Sequence, residues 1–377
     1  MAQRAAVAHV SQRYGFEYGS CHLEPSVSRI GEALVAAHRD FVDTDAARVV
    51  PERHGTAVLD DVSAVLVKEI LVGMLKLHDA HLEPLDLKII NRAIKELRHA
   101  FRVFRDYHDR KKVSIFGSAR TMPDDPNYQL AFKFCRRIVE EGFMVITGGA
   151  DGIMRAAQEG AGRENSFGVN IMLPFEQGPN NTIADDPKLV TFKYFFTRKL
   201  IFQKEANAIA LFPGGFGTHD EGFEILTLAQ TGKSDPQPIL CLQAEGCDYW
   251  DEWDGFIRRQ MMDRRLISPE DLGLFKITSS VEEAIQEIRF FYRRFHSTRF
   301  VGRQLAMRLQ SPISAEQVAA IHEQFDDLLL EGTFELRGAL PEELDEPDLK
   351  DLPRLVFASN RRSAARLRQL IDHVNRL

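Results

Sequence analysis

Apolar residues recur in steps of three and four along residues 87–104. The repeating positions are Leu87, Ile90, Ile94, Leu97, Phe101 and Phe104. Charged residues fill the positions between them, a pattern that predicts one amphipathic helix. Residues 62–77 and 26–40 also have helical patterns. We therefore expect residues 1–110 to form a helical N-terminal domain, in which no group of residues suggests chemistry.

Short, continuously apolar runs follow the charged stretch HDRKK at residues 108–112. The runs are VSIFG (113–117), FMVIT (143–147), GVNIML (168–173), AIALF (208–212) and PILCL (238–242). Strands that are apolar on both faces belong to parallel sheets covered by helices on both sides. Helical patterns lie between the runs, at residues 129–141, 152–160, 195–206 and 220–230. The alternation predicts a Rossmann-like, doubly wound α/β domain over residues 111–296, with ligands bound outside the carboxyl ends of its strands.

Residues 297–377 have a looser pattern and are expected to form a mostly helical C-terminal extension. A helix is predicted to end at Gly332, an acidic loop to follow at 341–351, and a basic helix to cover 360–377. The arginines of this last helix are interpreted as a solvated face. The formal net charge of −7 gives no basic excess of the kind that nucleic-acid binding normally needs. No nucleic-acid partner is therefore expected.

The composition of the 377-residue chain adds three expectations. Its opening lacks the apolar core of a signal peptide, and no run approaches the roughly 18 to 20 apolar residues of a membrane span. We therefore expect a soluble, cytoplasmic protein with no membrane partner. The four cysteines have no metal-ligand spacing, which predicts reduced thiols and no metal site. They are Cys21, Cys135, Cys241 and Cys247.

Three glycine-bearing turns follow predicted strands and should share one edge of the sheet. They are GSAR at 117–120, TGGADGIM at 147–154 and PGGFGT at 213–218. The last two lack the GxGxxG spacing of a dinucleotide site, and PGGFGT lacks the Gly-Lys-Ser/Thr that ends a Walker loop. A dinucleotide-dependent dehydrogenase or an ATPase is thus disfavoured.

PGGFGT offers backbone N–H groups with little side-chain bulk, leading into a helix expected to start near Thr218. Such a helix start can hold a phosphate, and Thr218 could serve as the N-cap. Asp220 and Glu221 would then lie in the first turn, where the helix dipole stabilises carboxylates. The alternative is that the glycines only make a tight turn between strand and helix.

A pair of cations, Arg198 and Lys199, lies upstream in the apolar stretch FFTRKLIF at residues 195–202. A guanidinium among apolar residues should be paired or line a crevice. We expect Arg198 to face Glu221 and to keep it ionised. The alternative is an ordinary Arg–Lys pair at a helix surface.

Together these motifs resemble those of the Lonely Guy phosphoribohydrolases, a family formerly misannotated as lysine decarboxylases. PGGFGTHDE has the form PGGxGTxxE, and the Arg–Lys pair, GSAR and TGGADGIMRAA stand at the matching positions. The resemblance covers about residues 112–295 and is strongest to the longer bacterial nucleotide 5′-monophosphate nucleosidases. His219 departs from the pattern, because a hydrophobic residue is common there, and FFTRK replaces an HERK-like run.

The resemblance implies hydrolysis of the N-glycosidic bond of a nucleoside 5′-monophosphate, such as AMP or a cytokinin riboside monophosphate, to free base and ribose 5-phosphate. It implies no metal or organic cofactor, and a homodimer or larger homo-oligomer. Glu221 would be the catalytic carboxylate and Arg198 its partner. The implied substrate-binding residues are Gly117, Ser118, Gly148, Gly149, Met154, Lys199, Gly214, Gly215, Gly217, Thr218 and Thr227.

Two other functions are considered. One is a non-catalytic nucleotide-binding or sensing module, which intact Arg198 and Glu221 disfavour. The other is a true lysine decarboxylase, which would need a pyridoxal phosphate site that the sequence does not suggest. Within the motif, Glu224 is interpreted as a solvated or structural residue. His219 is interpreted as a surface residue rather than an acid for the leaving base.

Overall fold

The computed structural model of the chain describes residues 59–173, 178–343 and 345–377. The helix expected at 26–40 lies outside these residues. The chain divides into two compact units, Met1–Asn91 with Pro341–Pro347, and Arg92–Leu340 with Asp348–Leu377. Helices α1 (Leu59–Asp79) and α2 (Pro84–Arg105) coincide with the two other helices expected in the N-terminal region. The domain boundaries at 110 and 296 remain predictions.

Seven strands of the described residues form one parallel sheet in the order β4-β3-β2-β1-β5-β6-β7. The strands are β1 (Lys112–Phe116), β2 (Met144–Thr147), β3 (Ser166–Ile171), β4 (Leu189–Phe192), β5 (Ala208–Leu211), β6 (Ile239–Leu242) and β7 (Lys276–Thr278). All five predicted runs are strands, so the expected doubly wound α/β fold is confirmed. The edge strands β4 and β7 were not predicted.

The chain builds this sheet outwards from β1 in two directions. It first passes through β2 and β3 to β4, and then returns to place β5 on the other side of β1. Phe116, the last residue of β1, lies opposite Leu211, the last residue of β5. Ligands of open α/β sheets bind at such a reversal of strand order, outside the carboxyl ends of the strands. The fold therefore places the GSAR and PGGFGT turns side by side at this position.

Apolar cores cover both faces of the sheet. Val113 and Ile115 of β1 pack into one core, whereas Phe116 packs into the other. The covering helices are α3 (Pro126–Glu140), α4 (Ile153–Ala161), α5 (Phe195–Lys204), α6 (Phe216–Gln230), α7 (Tyr249–Ile257) and α8 (Val281–Phe291). Burial on both faces explains why the strand sequences are continuously apolar rather than alternating.

The C-terminal segment contains helices at both expected places and, in addition, a sheet that was not predicted. The first of these helices ends at Phe325 rather than at Gly332, because residues 329–332 belong to a strand. Its helices are α9 (Ala315–Phe325) and α10 (Ala364–Arg376), and its strands are β8 (Phe295–Val301), β9 (Gln304–Leu309), β10 (Leu329–Arg337) and β11 (Arg354–Ser359). Within the described residues these strands form an antiparallel sheet in the order β10-β11-β9-β8. The expectation of a mostly helical extension was therefore incomplete, because β8 and β10 carry charged residues at half-exposed or exposed positions and lack an apolar run.

The last helix also differs from its interpretation as a solvated basic face. Arg368 is only 8% exposed. Its guanidinium bonds Glu287 at 2.6 Å and Asp372 at 2.9 Å, and it lies over the ring of Phe291. Arg368 thus connects α10 to the helix α8 of the parallel-sheet region.

Candidate active site

The three glycine turns meet in one crevice at the carboxyl edge of the sheet. They follow the adjacent strands β2, β1 and β5. The Ser118 N–H donates to the Pro213 carbonyl at 3.1 Å, and the Ser118 carbonyl accepts from the Ile153 N–H at 2.9 Å. The GSAR turn is therefore hydrogen-bonded to both of the others, as their common position at the strand ends requires.

Close packing requires glycine at three of the predicted positions, Gly117, Gly148 and Gly214. A Cβ at Gly148 would lie 2.7 Å from a guanidinium nitrogen of Arg198 and 2.7 Å from the Met154 sulfur. A Cβ at Gly214 would lie 2.1 Å from the Thr218 hydroxyl. Gly148 thus allows Arg198 and Met154 to approach the backbone, and Gly214 allows Thr218 to do so. Gly117 also meets a neighbour closely, whereas Gly149 adopts a positive φ of 75°.

Gly215 and Gly217 differ from these glycines. A Cβ at either position would have no heavy atom of the described residues within 4 Å, and φ of Gly215 is −92°. Neither packing nor backbone conformation therefore requires glycine there. No acceptor among the described residues takes the Gly215 N–H. The two positions form an open, unobstructed stretch of backbone at the start of α6.

Helix α6 begins earlier than expected, which changes the positions of its polar residues. Its first residue is Phe216 and its N-cap is the extended residue Gly215, without a side-chain capping bond. The prediction of Thr218 as N-cap was wrong, since Thr218 is buried within the first turn. Asp220 and Glu221 accordingly lie in the second turn, so stabilisation by the helix terminus is weaker than expected.

Glu221 is a buried carboxylate, only 6% exposed. Burial raises its pKa from the ordinary 4.5 to about 7, although the charges of Lys199 and Arg198 act in the opposite direction. None of the described residues contributes a hydrogen bond to this shift. Arg198 thus acts on Glu221 as expected, but it does not keep the carboxyl group fully ionised at neutral pH.

The two cations upstream have different contacts. The Nε of Arg198 donates to the carbonyl of Val169, a residue within β3, at 2.8 Å. Lys199 makes ion pairs with Asp220, at 2.8 Å, and with Glu224. Burial alone would lower the pKa of Lys199, but its bonds to Asp220 and Glu224 raise it. Glu224 is therefore an ion-pair partner rather than a solvated residue.

The start of α5, which carries Arg198, is fixed by a residue that the sequence analysis did not select. Glu96 of α2 is 4% exposed. Its carboxylate accepts from the Lys193 N–H and the Thr197 hydroxyl, each at 2.7 Å. Glu96 thus connects α2 to the residue before the N-cap of α5 and to a side chain of its first turn, whereas the N-cap Tyr194 itself makes no side-chain capping bond. Nothing local in the sequence around Glu96 indicates this distant partner.

His219 is half-buried and is not the surface residue expected. Its Nε2 lies 2.7 Å from the Tyr249 hydroxyl, and its ring stacks on the rings of Phe223 and Tyr249. Burial lowers the pKa of His219. The Tyr249 hydroxyl also donates to the Gly214 carbonyl. Tyr249 was missed because it follows the next strand, about 30 residues away, without a recognisable motif.

Thr227, which is also predicted to bind substrate, lies farther along α6 than the other predicted residues of that helix. It is exposed, six residues beyond Glu221 on α6, and its hydroxyl donates to the Phe223 carbonyl at 2.7 Å. In the described part of the chain, no group of three or more His, Cys, Asp or Glu residues is arranged to hold a metal ion. No helix among the described residues has the length and apolarity needed to cross a membrane.

Three comparisons relate the chain to known proteins. An uncharacterised protein of Archaeoglobus fulgidus is 30% identical over 110 residues, 29% of this chain and 70% of that protein. The solved structure of TM1055 is 21% identical, with 47% of this chain and 96% of that one covered at a TM-score of 0.34. A molybdenum cofactor binding protein from Rippkaea orientalis is 18% identical, with coverages of 48% and 96% and a TM-score of 0.35.

The sequence profile described as "Possible lysine decarboxylase" matches residues 150–288, which include the Arg–Lys pair, PGGFGT and Glu221. The archaeal relative is covered over more than two thirds of its length. The chain belongs to the possible lysine decarboxylase family, which is the Lonely Guy family.

Proposed function

We propose that this protein hydrolyses the N-glycosidic bond of a nucleoside 5′-monophosphate, releasing the free base and ribose 5-phosphate. The observation that carries the proposal is Glu221. It is a buried carboxylate that has no hydrogen-bond donor among the described residues, one turn beyond an open glycine loop and beside two cations. An ionisable group with a strongly raised pKa in a crevice is a common mark of a functional site.

The glycine loop supports a phosphate at the start of α6. The N–H groups of Gly215, Phe216 and Gly217 precede the first intrahelical bonds, so the helix itself gives them no acceptor. The helix has 15 residues, so its N-terminal end also favours an anion. With the 5′-phosphate held there, the ribose would extend along α6 toward Glu221. Such positioning can supply several kcal/mol of the barrier.

Glu221 then supplies the chemistry at the sugar. Cleavage of a glycosidic bond develops positive charge on the ribose, and an ionised carboxylate beside C1′ stabilises that charge. The same carboxylate can accept a proton from the attacking water. Arg198 lowers the pKa of Glu221 and, with its guanidinium packed against Gly148, would bind the ribose hydroxyls. AMP is the first substrate to test, and cytokinin riboside monophosphates are the second.

A pyridoxal phosphate-dependent decarboxylase, which binds its cofactor through a lysine, fits the site less well than the proposed hydrolase. Formation of a Schiff base needs a neutral amine. Lys199, the lysine of the site, is held charged by Asp220 and Glu224, which raise its pKa. A protein purified with visible absorbance in the pyridoxal phosphate band would contradict this argument.

We also propose that the protein is a homodimer or larger homo-oligomer. Phe196 and Leu200 lie one turn apart on α5 and are 55% and 45% exposed. Phe216, in the glycine loop itself, is 97% exposed. Large apolar side chains of this kind are typical of surfaces that a second copy covers. Light scattering of the purified protein would measure the assembly, and a monomer would contradict the proposal.

The deciding experiment is incubation with AMP, GMP, CMP and UMP, followed by assays for free base and ribose 5-phosphate. Release of base from at least one nucleotide, lost in Glu221→Gln, would support the proposed hydrolase. Tight binding of a nucleotide without base release would instead indicate a non-catalytic nucleotide-binding module.

A further inference from the structure

The first half of the PGGFGT loop is fixed by a group from outside the motif. The Tyr249 hydroxyl, at the first position of α7, donates to the Gly214 carbonyl. The Ser118 N–H holds the preceding carbonyl, that of Pro213, at 3.1 Å. The peptide groups on both sides of Gly214 are therefore held by hydrogen bonds, whereas a side chain at Gly215 would meet open space.

The direction of the hydrogen bonds around Tyr249 follows from their chemistry. A tyrosine hydroxyl has one proton, and the Gly214 carbonyl can only accept. The proton of Tyr249 therefore points at Gly214. The His219 Nε2, 2.7 Å from the same hydroxyl oxygen, must then carry a hydrogen and donate to it. His219, Tyr249 and Gly214 form a donor chain that runs from the imidazole to the loop.

This donor chain sets the direction of one backbone N–H in the glycine loop, that of Gly215. The Gly214 carbonyl and the Gly215 N–H belong to one planar trans peptide, in which they point in opposite directions. A carbonyl held by Tyr249 turns the Gly215 N–H away from α7. Without the bond, a peptide between two glycines has unusually wide conformational freedom. The hydroxyl of Tyr249 therefore restricts the peptide to one orientation.

We propose that Tyr249, itself oriented by His219, is a positioning residue that aims the Gly215 N–H at the 5′-phosphate of the substrate. This inference rests on the proposed function, since it assigns the glycine loop to a phosphate. Tyr249 does not touch the reacting atoms. Its effect is on the affinity for the phosphate group, not on the chemistry at the sugar.

The test compares two tyrosine-to-phenylalanine variants. Tyr249→Phe removes the hydroxyl but keeps the ring that stacks on His219. The control is Tyr292→Phe, because the Tyr292 hydroxyl also donates to a backbone carbonyl, that of Asn207, at 2.6 Å. Asn207 precedes β5 and Gly214 follows it, so the two bonds lie at opposite ends of one strand.

Binding of ribose 5-phosphate is measured by calorimetry for the wild type and both variants. We expect Tyr249→Phe to weaken binding roughly 3- to 10-fold, the effect of one lost hydrogen bond, and Tyr292→Phe to leave it unchanged. In Tyr249→Phe, the KM for AMP should rise more than kcat falls, and binding of unphosphorylated ribose should be unaffected. His219→Phe should also weaken ribose 5-phosphate binding, but by a smaller factor than Tyr249→Phe.

Equal affinity in Tyr249→Phe and the wild type would overturn the inference, as would an equal loss in the Tyr292→Phe control. A wild-type protein that does not bind ribose 5-phosphate would also overturn it. If the wild type binds this sugar phosphate but releases no base from any nucleotide, the proposed hydrolase fails. In that case the calorimetric comparison still tests the role of Tyr249, because it measures binding and not base release.

Discussion

Replacing Glu221 with Gln should stabilise the fold above neutral pH while it abolishes turnover. Folding transfers the Glu221 carboxyl group to a buried position, 6% exposed, where its pKa is about 7 instead of 4.5. Between these two values the folded protein keeps a proton that the unfolded chain has released. Stability therefore falls as pH rises through this window, and the loss is complete above about pH 7.

The size of the effect follows from the two pKa values. They differ by about 2.5, and each pKa unit corresponds to about 1.36 kcal/mol. Burial of ionised Glu221 thus costs about 3 kcal/mol of unfolding free energy at alkaline pH. A glutamine has nearly the same shape and no charge, so it avoids this cost. In a domain of this size, about 3 kcal/mol corresponds to a Tm increase of several degrees.

The assay is urea or thermal unfolding of both proteins at about pH 5 and about pH 9. The variant should be more stable at the higher pH and nearly equal to the wild type at the lower one. Glu224→Gln is the matched control, because it changes a neighbouring carboxylate that is paired with Lys199. That variant should gain no stability at the higher pH. An equal stability of Glu221→Gln and the wild type at both pH values would refute the reasoning.

Four further predictions follow from the same site. The kcat/KM for AMP should increase as pH rises through about 7, because ionised Glu221 is the active form. A kcat/KM that does not change between about pH 5 and pH 9 would contradict this prediction. Gly215→Val should keep the wild-type Tm, since the new side chain enters open space, but it should weaken ribose 5-phosphate binding about tenfold or more. An unchanged affinity in calorimetry would show that the loop does not bind the phosphate. Gly214→Ala should instead lower the unfolding free energy by about 1–3 kcal/mol, because its Cβ would lie 2.1 Å from the Thr218 hydroxyl, and urea titration measures this. Phe196→Asp should shift the protein toward monomers in light scattering, and an unchanged assembly would show that this face is not covered by a second copy.

The parallel sheet could be predicted because its strands are buried on both faces. Burial leaves runs such as AIALF without charged residues, and this pattern can be recognised in the sequence alone. The edge strands β4 and β7 lack it, since Thr191 is exposed and β7 has only three residues. The antiparallel C-terminal sheet was missed for a related reason, since most positions of β10 are exposed and include the charged residues Glu331 and Arg337.

The candidate site was predictable only where its residues share a local motif. PGGFGT, the Arg–Lys pair and Glu221 lie in short segments whose composition is unusual, and the sheet brings these segments together. Glu96 and Tyr249 had no such signal. Each acts on a segment that is about 30 to 100 residues distant in the chain, through a contact that exists only after folding.

The sequence by itself determined the doubly wound sheet, the edge at which its glycine turns emerge, and the identity of Glu221 and Arg198 as the candidate pair. Those features depend on periodicity and on local spacing. Only the tertiary structure decided the start of α6 at Phe216, the ion pairs of Lys199 and the donor chain through Tyr249. It also decided the raised pKa of Glu221, because desolvation depends on how many atoms from separate segments surround the carboxyl group.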